Sequence, residues 1–391
     1  MSPPDHLALP AVPAHAPATH PVRDLVLIVL FMLSLIGFAA VDPLEGRALH
    51  VENRALTPWP AFSPTGQVSA RFDAAFADHF RGRNALIALQ HAIVVLGFDT
   101  SPVGNVILGR DDWLYFGGED GHALDRFVRG TVPVGDDAIR ALVAEIGRRR
   151  AWLSARGIPY IVTIAPDKAT IYPEHLPAWV QTMRAPTPLD RALRALAQDP
   201  QLHVVDLREP LRAAKARELV YYRTDSHWNY LGAIVGYQAL MHEVQRAVGT
   251  ARLPSIAPPD MPPYTPGIDT YRGDLARILG VPLRYDEADI APFAKVLGDD
   301  SRRCARRIDE GKDDGFEFHG CARASDLRAV MYRDSMAIPL IPLLSENFHR
   351  IVYVSSQKLD RALIEREHPD VVIEEFVERN LEHPAAFPMQ P

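Results

Sequence analysis

The chain has 391 residues, with 42 basic and 49 acidic side chains, so its formal net charge is −7. A mildly acidic chain lacks the dense basic face that nucleic-acid binding by bulk charge requires, and its two cysteines are too few for thiolate zinc clusters or iron–sulfur sites. Hydrophobic residues make up 47% and charged residues 23%, which is ordinary for a globular protein and excludes a wholly disordered chain.

The N-terminal region divides into a polar tail and an apolar segment. Residues 1–24 contain six prolines and no apolar periodicity, a composition that predicts a disordered tail. Residues 25–41 are 17 residues without a charge, which is sufficient for a transmembrane helix. We predict a membrane anchor here; a cleaved signal peptide and a buried core helix are the alternatives. The flanking Lys and Arg residues do not decide the orientation.

Residues 42–391 form one large region in which apolar strands alternate with amphipathic helices. Helices are predicted near 72–98, 136–156, 188–197, 229–248, 337–345 and 360–366. A hairpin is predicted over 106–116, and strands over 159–166, 203–207, 327–332, 350–354 and 370–374, with a Pro-rich break near 253–266. This alternation predicts an α/β fold, an SGNH-hydrolase-like mostly parallel sheet with helices on both faces. In such sheets the chemistry lies at the carboxyl ends of the strands.

The two cysteines, Cys304 and Cys321, lie at the ends of a polar, charged loop that shows no clear strand or helix pattern. A disulfide closing a loop of this size contributes around 3 kcal/mol in the chain-entropy model, and disulfides persist outside the cytoplasm. We predict the bond and a non-cytoplasmic catalytic region; two reduced thiols are the alternative.

A serine, Ser335, follows the apolar strand LRAVMY and precedes a predicted helix. A serine at a strand-to-helix turn exposes its hydroxyl, and backbone N–H groups there face the position of an oxyanion. On this segment alone a plain helix cap is the commoner interpretation, because Asp and Ser are common caps, and a nucleophile is the alternative.

A second polar segment, Asp225-Ser226-His227, precedes the helix that begins near Asn229. Residues two apart on an extended segment point the same way, so the carboxylate can hold one imidazole nitrogen and leave the other as a base. A turn residue beside an incidental histidine is one alternative. A metal site is another, but no HExxH motif or paired histidine spacing supports it, and we predict no metal.

Seven segments occur in the order found in a known family: ENRALTPWPAF (52–62), GRDDWLYF (109–116), APDKATIYPEHLP (165–177), TDSHWNYLGA (224–233), RGDLARILG (272–280), RDS (333–335) and PDVVIEEFVER (369–379). The sequence resembles the alginate O-acetyltransferase family, whose catalytic domain is similar to SGNH hydrolases. The resemblance implies a catalytic triad of Ser335, His227 and Asp225.

The family motifs also suggest further site residues. Candidates for binding the substrate or stabilising the oxyanion are Lys168, Asp167, Arg333, Asn229 and Tyr332. The sequence departs from the family at two of them, with Arg333 in place of the usual Gly and Asp167 where Asn is frequent. The chain stops soon after the last predicted strand, as in the membrane-anchored members that lack a carbohydrate-binding module.

The resemblance implies an O-acetyltransferase that moves acetyl groups through a serine ester to hydroxyls of a secreted polysaccharide such as alginate, without a cofactor. Its expected location is the bacterial inner membrane, single-pass, with the catalytic domain in the periplasm. The expected partner is a multi-span membrane acyltransferase that supplies acetyl groups. A periplasmic acetylesterase with the same triad and a non-catalytic polysaccharide-binding scaffold are the rival interpretations.

Overall fold

The computed structural model describes residues 21–40, 57–60, 68–79, 83–118, 136–178, 180, 186–256, 270–281, 284–288, 304, 306–308, 316–321 and 325–382. They divide into two compact units, Met1–Ile87 and Ala88–Pro391. Residues 1–20 of the tail predicted over 1–24, and most of the predicted Pro-rich break, lie outside the described residues. Residues 21–24, which were predicted to be disordered, belong to the helix Pro21–Ala40.

The first unit contains helix α1, Pro21–Ala40, and helix α2, Val68–His79. Helix α1 covers most of the segment predicted as an anchor, and its described apolar side chains are exposed. Within the described part of the chain, no helix combines the length and apolar character needed to cross a membrane.

The second unit is built on a seven-stranded mixed sheet of order β4-β3-β11-β9-β10-β8-β7. Its strands are β3 Tyr160–Ala165, β4 His203–Asp206, β7 Arg306–Ile308, β8 Phe316–Gly320, β9 Arg328–Tyr332, β10 Arg350–Val354 and β11 Val371–Val377. The first five strands in this order are parallel, whereas β8 and β7 are antiparallel to their neighbours. The prediction of a mostly parallel sheet in an α/β fold is therefore confirmed, with an antiparallel edge added.

Helices of the second unit are α3 Arg83–Phe98 (which begins in the first unit), α4 Asp136–Ser154, α5 Lys168–Ile171, α6 Pro188–Leu196, α7 Arg208–Lys215, α8 Tyr230–Val248, α9 Asp274–Leu279, α10 Ile341–Ser345 and α11 Arg361–Glu367. Short 3-10 helices span Pro173–His175, Ser335–Leu340 and Glu378–Glu382. Two small antiparallel strand pairs complete the unit: β1 Val106–Leu108 with β2 Leu114–Phe116, and β5 Thr270–Tyr271 with β6 Glu287–Ala288.

The sheet separates two apolar cores because alternate residues of a strand point to opposite faces. In β9 and β11, Met331 and Ile373 belong to one core, and their neighbours Val330 and Val372 belong to the other. All four side chains are fully buried. The central strands thus read as continuous apolar runs, as expected of a parallel sheet that is covered on both faces.

Three sequence predictions need correction. The segment predicted as one helix over 72–98 contains the two helices α2 and α3. Residues 80–82 between them lie outside the described residues, and they include Gly82, a poor helix former. The helix predicted over 337–345 is a 3-10 helix followed by α10, because Pro339 cannot donate a backbone hydrogen bond. The cysteine loop contains β7 and β8, whose alternation of Phe316 and Phe318 with polar residues is a strand pattern.

Candidate active site

Two loops of the second unit bring a serine and a histidine together. Ser335 follows β9 and begins the 3-10 helix Ser335–Leu340. His227 lies in the loop before α8, where Tyr221 and Trp228 form an isolated antiparallel bridge. Ser335 Oγ lies 2.9 Å from His227 Nε2, across 108 positions of sequence. Since nothing local forces this contact, it is a consequence of the tertiary fold.

The other imidazole nitrogen of His227 faces Asp225. Nδ1 lies 2.7 Å from Asp225 Oδ1, and the same oxygen accepts the backbone N–H of His227 at 2.9 Å. A proton on Nδ1 that is donated to Asp225 leaves the Nε2 lone pair for the Ser335 hydroxyl. The three side chains therefore have the connectivity of a Ser-His-Asp triad.

The charges of this pair favour each other's ionised form. Burial raises the pKa of Asp225, but the hydrogen bond and charge of His227, with further donors, lower it by more, so the net pKa lies well below the ordinary value. Burial lowers the pKa of His227, but the hydrogen bond and charge of Asp225 outweigh that effect and raise it. Both shifts have the same main electrostatic cause, the contact between His227 Nδ1 and Asp225 Oδ1.

The loop that carries Asp225 is fixed from one side by Lys168. This buried side chain donates from Nζ to the backbone oxygens of Tyr222 at 3.1 Å, Arg223 at 2.8 Å and Asp225 at 2.6 Å. Burial lowers the pKa of Lys168 to about 7, against the raising effect of nearby carboxylates, Asp225 first. Lys168 points at the loop, so the predicted contact with substrate or oxyanion does not match its position.

Glu287 fixes the same loop from the other side. Its carboxylate accepts the backbone N–H groups of Arg223 at 3.0 Å and Thr224 at 2.9 Å. It also accepts the Thr224 hydroxyl, with an oxygen–oxygen distance of 2.5 Å. Gly273 packs so closely that a Cβ there would lie 2.2 Å from the Thr224 carbonyl. The peptide groups beside Asp225 therefore have little freedom to move.

Residues 271 and 274 complete the surroundings of the triad carboxylate. Tyr271 donates its hydroxyl to Asp225 Oδ2 at 2.7 Å, and the backbone N–H of Asp274 donates to the same oxygen at 2.9 Å. The Asp274 side chain accepts the backbone N–H of Ser226 at 2.7 Å. Sequence reasoning missed Tyr271, Asp274 and Glu287, although the motif at 272–280 marked their neighbourhood.

The serine side of the site is ordered by Asp334. Its side chain accepts the backbone N–H of Met336 at 2.9 Å, that of Val377 at 2.7 Å and the Asn380 amide at 3.1 Å. Burial raises the pKa of Asp334 in spite of these donors. Ser335 itself is exposed. Its backbone N–H is at the first helical position, where such groups have no partner within the helix, and can face an oxyanion.

Near Asp334 lies a partly buried charge cluster formed with the chain that follows β11. Arg379 forms an ion pair with Asp167, and Glu378 accepts the backbone N–H of Asp167 at 2.9 Å. Burial, followed by the charge of Asp167, raises the pKa of Glu378 to about 8. Asp167 is thus tied to Arg379 and Glu378, and the predicted oxyanion role does not match this arrangement.

The remaining three candidates support structure around the site. Asn229 caps α8 by accepting the Gly232 N–H at 3.0 Å, and it is buried. Tyr332 is fully buried and accepts the backbone N–H of Asp360 at 2.9 Å. Arg333 is mostly buried, donates to the Asp334 carbonyl at 3.3 Å and lies 3.6 Å from Glu317.

A cleft of about 350 Å³ opens over Ser335 and His227. Tyr222 and Tyr271 line it as a stacked pair with ring centroids 4.2 Å apart. Arg277 also lines it and is exposed, and its guanidinium has no hydrogen-bond or ion-pair partner among the described residues. The cleft therefore offers a nucleophile, a base, an aromatic surface and a cation.

Asp225, His227 and Asp274 also place one ligand atom each within 4.8 Å of one another, close enough to hold a metal ion. Their nitrogen and oxygen atoms already bond each other, Ser226 and Tyr271. The arrangement is therefore suited to proton transfer. A second such group includes Cys304 and Cys321, but these form a disulfide with Cα atoms 5.0 Å apart, which is normal disulfide geometry.

Comparison with known proteins supports the resemblance seen in the motifs. Residues 106–292 match the family described as "SGNH hydrolase-like domain, acetyltransferase AlgX". The chain is 31% identical over 179 residues to the probable alginate O-acetylase AlgJ of Pseudomonas putida, covering 45% of this chain and 42% of that protein. It is 26% identical over 295 residues to the AlgJ of Pseudomonas aeruginosa, covering 71% of this chain and 68% of that protein.

Among solved structures, Bacillus cereus PatB1 has the same fold, with a TM-score of 0.51, 16% identity, and coverage of 71% of this chain and 97% of that chain. The O-acetyltransferase domain of Pseudomonas putida AlgJ matches with a TM-score of 0.42 and 21% identity, over 71% of this chain and 92% of that chain. The family model and the two AlgJ relatives confirm the predicted resemblance to the alginate O-acetyltransferase family. The chain spans less than half of the P. putida relative named above.

Proposed function

We propose that this protein is a polysaccharide O-acetyltransferase that works through an acetyl-serine intermediate. The observation that carries the proposal is the 2.9 Å contact between Ser335 Oγ and His227 Nε2, with Asp225 on the other imidazole nitrogen. The match to the AlgX-type SGNH domain and the relatives named alginate O-acetylase support acetyl transfer as the reaction.

In the first half-reaction, Ser335 Oγ attacks the carbonyl carbon of an acetyl donor while its proton moves to His227 Nε2. The tetrahedral oxyanion faces the Ser335 N–H. The bond to the donor oxygen then breaks, and the leaving alkoxide takes the proton from His227. The products are the deacetylated donor and an acetyl ester on Ser335.

In the second half-reaction, His227 Nε2 takes the proton of a sugar hydroxyl as that oxygen attacks the acetyl-serine carbonyl. The ester bond to Ser335 breaks, and Ser335 Oγ receives the proton from His227, which restores the starting state. Asp225 stays ionised throughout and stabilises the imidazolium. No cofactor is required by this sequence of steps.

The acceptor proposed is a secreted polysaccharide such as alginate, since the curated relatives carry that substrate in their names. Arg277, an exposed cation in the cleft, is suited to a uronate carboxylate, and the Tyr222–Tyr271 pair to a sugar ring. These features support an acidic polymer and do not identify the hydroxyl that is acetylated.

The proposed location is the bacterial periplasm, at the inner membrane, with a multi-span acyltransferase as the acetyl source. The disulfide between Cys304 and Cys321 supports an oxidising compartment, and acetyl-CoA is confined to the cytoplasm. Fusing a periplasmic and a cytoplasmic reporter after Pro391 tests this location, and cell fractionation separates an anchored chain from a cleaved one. An active cytoplasmic reporter would contradict the proposal.

The activity is tested with an aryl acetate as donor and either an oligouronate or water as acceptor. We expect acetylated oligosaccharide to form, with Ser335→Ala reducing transfer by several orders of magnitude. Release of free acetate alone, unchanged by added oligosaccharide, would indicate an esterase instead. Normal transfer by a folded Ser335→Ala protein would refute the mechanism.

A further inference from the structure

His227 has a second carboxylate beside it. Asp274 Oδ2 lies 3.6 Å from His227 Nδ1, the same nitrogen that faces Asp225 at 2.7 Å. The Ser226 hydroxyl lies between these groups, 3.3 Å from Nδ1, and also bonds Asp274. One imidazole nitrogen is therefore in contact with two acidic groups from separate parts of the chain.

The position of Asp274 is fixed by the same loop it serves. Its side chain accepts the backbone N–H of Ser226 at 2.7 Å, and its own N–H donates to Asp225 Oδ2 at 2.9 Å. The helix that Asp274 begins, α9, is tied to the loop by a hydrogen bond from Ala276 N–H to Thr224 O at 3.1 Å. Within its own helix, Asp274 makes one side-chain contact, in which Oδ1 accepts the Leu275 N–H at 2.7 Å. That contact does not explain why the other oxygen, Oδ2, faces His227.

We propose that Asp274 is a positioning residue for the base, stabilising protonated His227 together with Asp225 when the serine proton is transferred. This inference rests on the proposed function, in which His227 takes that proton. The negative charge near Nδ1 lowers the free energy of the imidazolium relative to the neutral ring, and the Ser226 bonds hold the carboxylate at a fixed distance.

The sign of the effect follows from the charged groups that face His227. Asp225 and Asp274 raise the pKa of His227, and Arg379 lowers it. Asp334, at the start of the helix that carries the serine, also interacts with His227. Activity requires neutral His227, so the rate rises with pH through its pKa. Removing the charge of Asp274 must lower that pKa and move the rising limb to lower pH.

The test is the pH profile of kcat/KM for hydrolysis of an aryl acetate, which needs no polysaccharide. For Asp274→Asn we expect the rising limb of the profile to move to lower pH by about one unit. This is the low end of the pKa shifts that a neighbouring charge causes, because the Asp274 side chain is partly exposed. We expect the plateau to fall by less than about tenfold. Ser226→Ala retains the carboxylate and should keep the limb within about 0.3 units of wild type.

An unmoved limb in folded Asp274→Asn, or equal shifts in both variants, would overturn the proposal, since either result assigns Asp274 a structural role alone. If Asp274→Asn does not fold, Asp274→Ser, which also removes the charge, takes its place, and NMR titration of His227 in that variant and in the wild-type protein decides the question. A lower His227 pKa in the variant supports the proposal, and an equal pKa overturns it. Failure of the polysaccharide assay would not change either readout, so the two hypotheses fail separately.

Discussion

Replacing Lys168 with Met removes the buried cation that holds the catalytic loop while preserving the approximate size of the side chain. Lys168 donates to three backbone oxygens, those of Tyr222, Arg223 and Asp225. A buried acceptor that loses its donor costs about 1–3 kcal/mol. Relief of the desolvation of the ammonium, which holds its pKa at about 7, offsets part of this cost. We expect the free energy of unfolding to fall by about 2–4 kcal/mol.

Loss of the Lys168 ammonium should also lower the catalytic rate, because the carbonyl of Asp225 is one of its three acceptors. A displacement of the triad by about 1 Å costs about a hundredfold in rate, so kcat for aryl acetate hydrolysis should fall by that order. The measurements are urea unfolding and steady-state kinetics.

Lys215→Met is the matched control for this prediction. Lys215 bonds the Ile171 carbonyl at 2.6 Å and pairs with Glu174, and its side chain is 24% exposed. It should cost less than about 1 kcal/mol and leave kcat unchanged. A Lys168→Met protein that unfolds at the wild-type urea concentration and hydrolyses the ester at the wild-type rate would refute the reasoning.

Three further predictions follow from named contacts. Replacing Cys304 and Cys321 with Ser should lower the free energy of unfolding by about 3 kcal/mol, and reductant should lower wild-type stability similarly; equal stability with and without reductant would contradict this. Gly273→Ala places a Cβ against the Thr224 carbonyl, which displaces the loop that carries Asp225 and should reduce kcat by at least about tenfold. An unchanged kcat would contradict this prediction. Arg277→Gln should raise KM for an oligouronate and leave the KM and kcat for hydrolysis of a neutral aryl acetate unaltered. An equal effect on both substrates would contradict the proposed contact between Arg277 and a uronate carboxylate.

The central strands were predictable because their consecutive residues are mostly apolar, whereas a strand buried on one face alone alternates apolar and polar residues. Nearly all residues of 160–165 and 350–354 are buried, whichever face of the sheet they point to. Such a continuous apolar run indicates a central strand even when only one sequence is available. The antiparallel strands β7 and β8 were missed, since they lie in a charged segment. The helix after Ser335 was predicted in the right place but not in the right form, because two prolines set its local geometry.

From the residues alone, the candidate site was predicted where the chemistry is local in sequence and missed where it depends on packing. The pairing of Ser335 with His227 was expected only from the family resemblance. Asp225 and His227 are two residues apart, and their pairing follows from an extended backbone. Lys168 was expected to contact substrate, but its side-chain direction is set by three carbonyls of a distant loop. Asp274 and Glu287 follow the Pro-rich break in the chain and contact that loop only through the tertiary fold. No pattern in a single sequence predicts such contacts.

The central claim is that Ser335 carries the acetyl group between donor and acceptor. The most direct measurement is peptide mass spectrometry after brief reaction with an aryl acetate and acid quench, comparing wild type with His227→Ala and Ser335→Ala. The mechanism predicts one acetyl group on the peptide containing Ser335 in the wild-type protein, and none there in either variant. Acetyl transfer to an oligosaccharide without acetylation of Ser335, or equal labelling of that peptide in Ser335→Ala, would contradict it.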